Sequence, residues 1–172
     1  MRFKRVPDPP DDPATLGDAR RAVPLVPDRE ADCCARLRDR LDLPDREAGR
    51  DWLALLRALR LVERVDGGYR RTREPPDDAA AAFRDRVYGA REALDALDAG
   101  PLDADGAFER VRDAVPAWER DRDPDWEATW RERTRRLLDW AVLLGLAERT
   151  EEGYVATDGT GAVDRRCRRE DR

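Results

Sequence analysis

The sequence contains no His, Ser, Asn, Gln or Ile, and Lys4 is its single lysine beside 33 arginines. Without His and Ser, the chain can build no Ser-His-Asp triad and has no imidazole base. Without Asn and Gln, it also lacks the side chains that read adenine through two hydrogen bonds. We therefore predict that the protein is not an enzyme and has no catalytic residues.

Cysteine is scarce as well, with Cys33, Cys34 and Cys167 as the full set. No CxxC pair is present and no His could complete a zinc site, so we expect reduced thiols, with Cys34 in a small apolar core. Some closely spaced acids have the chemistry to bind a cation, but the glycine and terminal glutamate of an EF-hand are missing. We predict neither metal nor cofactor, and expect solvated loop acids at Asp103, Asp105, Asp121, Asp123 and Asp125.

No hydrophobic run approaches the roughly 18 residues of a membrane span, and the N-terminus shows no signal-peptide core. We therefore expect a cytoplasmic protein with no membrane partner. The many arginines, the abundant Asp and a pI of about 5.0 resemble the proteins of salt-accumulating haloarchaea. In molar salt the Debye length falls to about 3 Å, so the net charge of −5 argues only weakly against a nucleic-acid partner.

One segment of the chain is repeated. LRLVERVDGGYRRT at residues 59–72 returns 85 positions later, without a gap, as LGLAERTEEGYVAT at residues 144–157. A repeat at a fixed offset indicates one supersecondary unit used twice. We predict an extended N-terminal segment running over the surface (1–13), domain 1 (14–74), a linker (75–78), domain 2 (79–158) and a polar tail (159–172).

The apolar spacing predicts a mainly α fold with small β-hairpins, an α+β fold. In domain 1 we expect helices over residues 13–23, 29–41 with Asp28 as N-cap, and 46–60. In domain 2 we expect one long helix over 79–99, then helices over 103–115 and 126–144, with an interruption at 116 and 120–125. Each repeat then forms a hairpin, with the retained glycine in a three-residue loop. Core positions are predicted at Trp52, Leu56, Tyr69, Trp130, Leu144 and Tyr154.

Residues 44–72 resemble the third helix and wing of prokaryotic winged helix-turn-helix regulators. Together with the preceding Leu43, this segment reads LPDREAGRDWLALLRALRLVERVDGGYRRT. In those proteins an L..L...GLV helix end precedes a GY..T returning strand. The second copy, with Leu144-Gly145-Leu146, is closer still to this pattern. The resemblance implies two winged-helix domains in tandem, and about 145 residues of the chain fit it.

The resemblance also implies a DNA-contacting face, because the second helix of such a motif enters the major groove. At 100° per residue, Arg46, Arg50 and Arg57 fall at about 120–160° from Trp52, opposite the apolar side. The predicted wing adds Arg64, Arg70 and Arg71. Residues 45–74 carry a net charge of +2, so we predict that these six arginines contact the phosphates and guanines of double-stranded DNA. The alternative is chance alignment, or pairing with Glu47 and Asp51.

Domain 2 does not repeat this pattern. Its last helix places Ala128, Glu132, Arg135 and Asp139 outward, and residues 79–158 carry a net charge of −7. Trp140, Val142 and Leu143 lie off the main apolar side, which indicates either a deeper core or an interface with domain 1 or another subunit. We assign domain 2 to packing or oligomerisation, through a homodimer or a protein partner. The alternative function for the whole chain is a non-catalytic protein-interaction scaffold, since fold does not fix function.

Overall fold

The structure is a computed structural model that describes residues 4–157. Domain 1 is a three-helix unit followed by a hairpin, and its third helix is strongly amphipathic. Apolar residues such as Trp52, Leu55 and Leu56 cover one side of that helix and are buried. The elements of domain 1 are α1 (Ala14–Ala22), α2 (Glu30–Leu41), α3 (Arg46–Ala58), β1 (Val62–Val65) and β2 (Gly68–Arg71).

Domain 2 repeats this order with two additional helices, one before it and one inside it. Its final helix is the longest in the described part of the chain and leads into the second hairpin. The elements are α4 (Ala79–Arg86), α5 (Ala90–Ala96), α6 (Ala104–Val111), α7 (Ala117–Arg122), α8 (Trp126–Leu143), β3 (Ala147–Thr150) and β4 (Gly153–Ala156), with 3-10 turns at Leu97–Ala99 and Arg112–Ala114.

The two hairpins share their register and their closing contacts. Val65 pairs with Gly68, and Thr150 pairs with Gly153, so each loop has two residues and the prediction of three-residue loops is wrong. The retained threonine closes each hairpin at its base, because the amides of Thr72 and Thr157 each donate to a leucine carbonyl at 3.1 Å. The threonine hydroxyls make a matching second contact, because Thr72 Oγ1 donates to the Arg60 carbonyl at 3.2 Å and Thr157 Oγ1 donates to the equivalent Gly145 carbonyl at 2.6 Å. These side-chain bonds account for the threonine of the GY..T pattern in both copies.

Beside each hairpin, one residue pairs with the second strand as a third strand would. Asp28 exchanges two backbone hydrogen bonds with Tyr69, at 2.9 and 2.8 Å, and Leu102 does the same with Tyr154, at 3.0 and 2.7 Å. The predicted role of Asp28 as an N-cap is therefore wrong, because its backbone is held by β2. Helix α2 begins at Glu30, and its N-cap Arg29 makes no side-chain capping bond.

The expected single helix over residues 79–99 is wrong, because it is broken at residues 87–89 into α4 and α5. Gly89 has a φ of 87°, and a Cβ there would lie 3.2 Å from Leu137 Cδ1 and 3.3 Å from Trp130 Cζ3. The break therefore brings the backbone against α8. The apolar positions that suggested one helix, among them Phe83, Val87 and Leu94, are nevertheless buried.

Residues 116–125, predicted as an interruption, contain a helix instead. Pro116 precedes the first turn of α7, and the amides of Glu119 and Arg120 both donate to the Pro116 carbonyl. In domain 1 the corresponding connection between α2 and α3 is only residues 42–45. Helix α7 is thus an insertion found only in the second copy.

The two domains share one hydrophobic core. Trp52 of α3 and Trp140 of α8 meet edge to face, with ring centroids 5.6 Å apart and planes at 76°. Both indoles are buried, and residues of both domains join them in one continuous cluster. Trp140 is fully buried in the core and also contacts domain 1, so the two roles considered for it coincide.

The N-terminal segment, residues 4–10, crosses this junction. Val6 is buried, and the Pro7 carbonyl accepts a hydrogen bond of 2.9 Å from Trp140 Nε1. Lys4 pairs with Glu119 at 2.5 Å, while Arg5 pairs with Glu47 of α3. The expectation that this segment runs over the surface is wrong at Val6 and Pro7, because both are packed between the domains.

Candidate nucleic-acid interface

Helix α3 is fixed at its start and along its buried side. The Asp45 side chain accepts the Ala48 amide at 2.8 Å and caps the first turn. A Cβ at Gly49 would lie 2.5 Å from the Cys34 carbonyl oxygen, so the glycine allows α2 and α3 to approach closely. These two contacts set which side of α3 faces solvent.

Arg46 and Arg50 are both exposed on the outer side of α3. Arg50 pairs with Glu47 at 3.2 Å and lies 3.8 Å from Glu30 of α2. Within residues 4–157, Arg46 forms no such ion pair. The outer side of α3 therefore carries one arginine held by carboxylates and one that projects without an ion-pair partner.

Arg57 of α3 and Arg64 of β1 meet over the same aromatic ring. The guanidinium carbons of Arg57 and Arg64 lie 5.3 and 6.0 Å from the Tyr69 ring centroid. The Tyr69 hydroxyl donates to Glu30 at 3.1 Å, and burial together with this bond raises the pKa of Tyr69. The helix and the wing thus present their arginines on one surface around a neutral tyrosine.

The two remaining predicted arginines, Arg70 and Arg71, lie on opposite faces of the wing. Glu63 is paired in register with Arg70, and their side chains form an ion pair at 2.8 Å. Because side chains alternate along a strand, Arg70 points to the opposite face from Tyr69 and Arg64. Arg71 is on the Tyr69 face, and its amide donates to the Pro24 carbonyl at 2.9 Å. Arg50 and Arg57 line one cleft with Tyr69, and Arg64 lies at the Tyr69 ring. Arg46 is one helical turn before Arg50, Arg71 shares the Tyr69 face of the wing, and Arg70 is turned away from it.

Arg5 is an addition to this surface that the sequence did not suggest. It pairs with Glu47 and lies 3.5 Å from Asp51, and it borders a cleft of about 290 Å³ with Arg50, Arg57 and Tyr69. Burial raises the pKa of Asp51 despite this neighbour. No local pattern could have placed Arg5, because it is more than 40 residues away from α3 in the chain.

The second copy shows which contacts belong to the fold. At the 85-residue offset, Arg135 matches Arg50 and Arg149 matches Arg64. Arg135 pairs with Glu132 at 2.6 Å, and Arg149 lies 5.2 Å from the Tyr154 ring centroid. Arg57, by contrast, corresponds to Val142. The arginine–glutamate ion pair on the helix and the wing arginine beside a tyrosine ring therefore occur in both units, whereas Arg57 is specific to domain 1.

The predicted loop acids mostly serve local structure. Asp103 accepts the Gly106 amide at 2.7 Å and caps α6. Asp123 accepts the Asp125 amide and the Thr129 hydroxyl, both at 2.9 Å, ahead of α8. Nowhere in residues 4–157 do three acidic or thiol side chains converge as metal ligands would. The same residues include no helix with the length and apolar character of a membrane span.

Three-helix units followed by hairpins, each with a bridging residue before the second helix, define a double winged-helix protein. Residues 1–161 match the family described as the halobacterial double winged helix domain. The chain belongs to this family, which agrees with both the predicted tandem fold and the haloarchaeal composition. No match was found among curated proteins or among solved structures.

Proposed function

We propose that the protein is a regulator-like DNA-binding protein in which domain 1 contacts duplex DNA and domain 2 supports it. The observation that carries this proposal is the position of Arg57 beside Tyr69, because Arg57 has no counterpart in domain 2 and places a cation of α3 at the same ring as Arg64 of the wing. In helix-turn-helix proteins the equivalent helix lies in the major groove. Arg46 and Arg50 extend this surface toward the start of α3.

The charge distribution supports assigning the contact to domain 1. Residues 45–74 are net +2, whereas residues 79–158 are net −7. A polyanion is attracted to the first of these regions and repelled by the second. The proposal includes a non-catalytic role in the cytoplasm, without a cofactor.

The test is fluorescence anisotropy of a labelled random-sequence duplex, titrated with the protein across a potassium chloride series that reaches molar salt. We expect log K to fall linearly with log salt, with a slope of about 0.9 for each phosphate contacted. Several contacts would therefore give a slope of several units. Absence of binding at the lowest salt in which the protein stays folded would refute the proposal.

A scaffold that binds another protein is the second candidate. Carboxylates already pair with Arg5 and Arg50 on the proposed surface, which lowers its positive potential. Leu25 and Val26, in the loop before Asp28, are 49% and 74% exposed, and such apolar exposure is typical of contact surfaces. If the duplex does not bind, affinity capture with the purified protein, compared with a Leu25→Asp, Val26→Asp variant, tests this candidate.

A further inference from the structure

Helix α7 and the N-terminal segment enclose a cavity of about 680 Å³ beside the start of α8. This volume lies within the range of small-molecule sites. A second cavity has the same size, but its arginines, Arg135 and Arg149, are both paired with Asp139. The cavity beside α7 differs because some of its charges have no opposite partner.

The walls of the α7 cavity combine indole rings with cations. Trp118 is 57% exposed and is the single aromatic side chain with that degree of exposure in residues 4–157. Trp126 and Trp130 also line the cavity, but their rings are packed against Phe108 and Tyr88 respectively. Trp118 packs against no other aromatic ring among the described residues, although the Lys4 ammonium lies 5.0 Å from its ring centroid. Trp118 is therefore the cavity ring with the most free surface for a ligand.

Two arginines of this cavity have no carboxylate at ion-pair distance among the described residues. Arg122 is exposed at the end of α7. The Arg133 side chain donates to the carbonyls of Lys4 and Tyr88, and its Nε has no partner there. Burial lowers the pKa of Arg133 to about 10, so it remains a cation at neutral pH.

Two of the three carboxylates that line the cavity are paired with cations. Glu119 accepts the Trp130 indole N–H at 2.9 Å and pairs with Lys4 at 2.5 Å. Glu132 pairs with Arg135 and Arg136, which hold its pKa at about 2. Asp123, the third carboxylate, accepts the Asp125 amide and the Thr129 hydroxyl and has no cation at ion-pair distance among the described residues. Because Arg122 and Arg133 outnumber it, the unpaired charge of the cavity is positive on balance.

The repeat shows that the fold does not require this arrangement. Domain 1 connects α2 to α3 without a helix, so α7 and its exposed indole are additional to the winged-helix unit. The Lys4 ammonium covers part of the Trp118 ring, and a stacked ligand ring would remove more of its apolar surface from water. From these observations we propose that the α7 cavity binds a small planar aromatic anion. Its ring stacks on Trp118 and its anionic group lies at Arg122 and Arg133.

The test is calorimetric titration of the full-length protein with 2-naphthoate, and in parallel with the cation 2-naphthylmethylamine, at one fixed potassium chloride concentration. We expect the anion to bind more tightly than the cation by about tenfold or more, because their rings match and their charges are opposite. Equal binding of the two probes, or binding of neither, would overturn the proposal.

Variants on α7 locate the site. Trp118→Ala and Arg122→Ala remove exposed side chains and should each weaken 2-naphthoate binding by about tenfold. Arg120→Ala is the matched control, because Arg120 has the same charge on the same helix and does not line the cavity. An equal effect of Arg120→Ala and Arg122→Ala would show nonspecific attraction and reject the site. Circular dichroism of each variant separates loss of fold from loss of the ligand.

Discussion

Gly68 and Gly153 hold each wing against the residue beside it. A Cβ at Gly68 would lie 1.9 Å from the Asp28 carbonyl oxygen, and one at Gly153 would lie 2.4 Å from that of Leu102. In both cases the obstacle is backbone, which cannot move aside as a side chain can. The glycine is thus required by close approach as well as by its φ of 136° or 123°.

We expect Gly153→Ala to destabilise the protein more than Gly100→Ala. Gly100 has nearly the same φ, 125°, but no atom lies within 4 Å of its added Cβ. The backbone strain is therefore matched, at about 1–3 kcal/mol, and the difference reports the contact with Leu102 alone. Denaturant unfolding in molar potassium chloride measures both variants. Equal losses of stability in the two variants would mean that backbone φ alone explains why residue 153 is a glycine.

Tyr154 makes the folding free energy depend on pH in the alkaline range. Burial and a hydrogen bond of 2.5 Å to Asp139 raise the pKa of Tyr154 to about 12 from its ordinary value of 10.0. The protonated tyrosine is therefore favoured by folding, so its contribution is complete below pH 10 and is lost as pH rises toward 12. We expect wild type to lose more stability than Tyr154→Phe over this interval. Parallel curves would contradict this assignment, since every other titrating group is common to both proteins.

Helix α3 is the element that the sequence predicted best. Its apolar period and the outward position of Arg46, Arg50 and Arg57 follow from local spacing, whereas its Asp45 cap was not predicted. The break at Gly89 does not follow from local spacing, because α4 and α5 bury the same apolar positions that one continuous helix would have buried. What decides the break is contact with α8, and that contact is not encoded within the segment.

We expect the double substitution Arg46→Ala, Arg50→Ala to weaken duplex binding and to reduce the salt slope by about 2 units, one for each phosphate contact. The thermal midpoint should change little, because exposed ion pairs contribute about 0–1 kcal/mol. Arg131→Ala, Arg135→Ala is the matched control, at the same repeat positions in domain 2. It should leave DNA binding intact.

Either of two outcomes would count against this assignment of α3. A similar loss of binding in both double variants would indicate a general charge effect instead of a domain 1 interface. A large fall in the thermal midpoint of the Arg46, Arg50 variant would show that these arginines serve the fold.

At the scale of the whole molecule, the junction between domains was beyond local prediction. The pattern identified Trp140 as an apolar residue off the main side of its helix, and offered two roles for it. Its partners, Trp52 and the Pro7 carbonyl, lie 88 and 133 positions earlier in the chain. For the same reason Arg5 was missing from the predicted DNA-contacting set. Contacts between residues far apart in the sequence determine both the partners of Trp140 and the position of Arg5.

We expect Trp140→Ala to destabilise domain 1 as well as domain 2, because the substituted side chain lies in their common core. A truncation of this size in a core costs about 3–5 kcal/mol. Amide hydrogen exchange measured on peptides from residues 46–71 should show faster exchange in the variant. Unchanged protection of those peptides, with loss confined to residues 126–156, would show that the two domains unfold independently.

Under the proposed function, the contact between Trp52 and Trp140 has a consequence for the kind of DNA site that this protein would select. It joins two copies of one unit that have diverged, one net positive over its helix and wing, the other net negative. Symmetric dimers place two equivalent helices on DNA and so select palindromic half-sites. A monomer of this chain has one cationic unit and no such reason to select a palindrome, whereas the homodimer considered for domain 2 would restore one. Under the proposed function, the footprint of the monomer should be short, and its preferred sequence should read differently on the two strands.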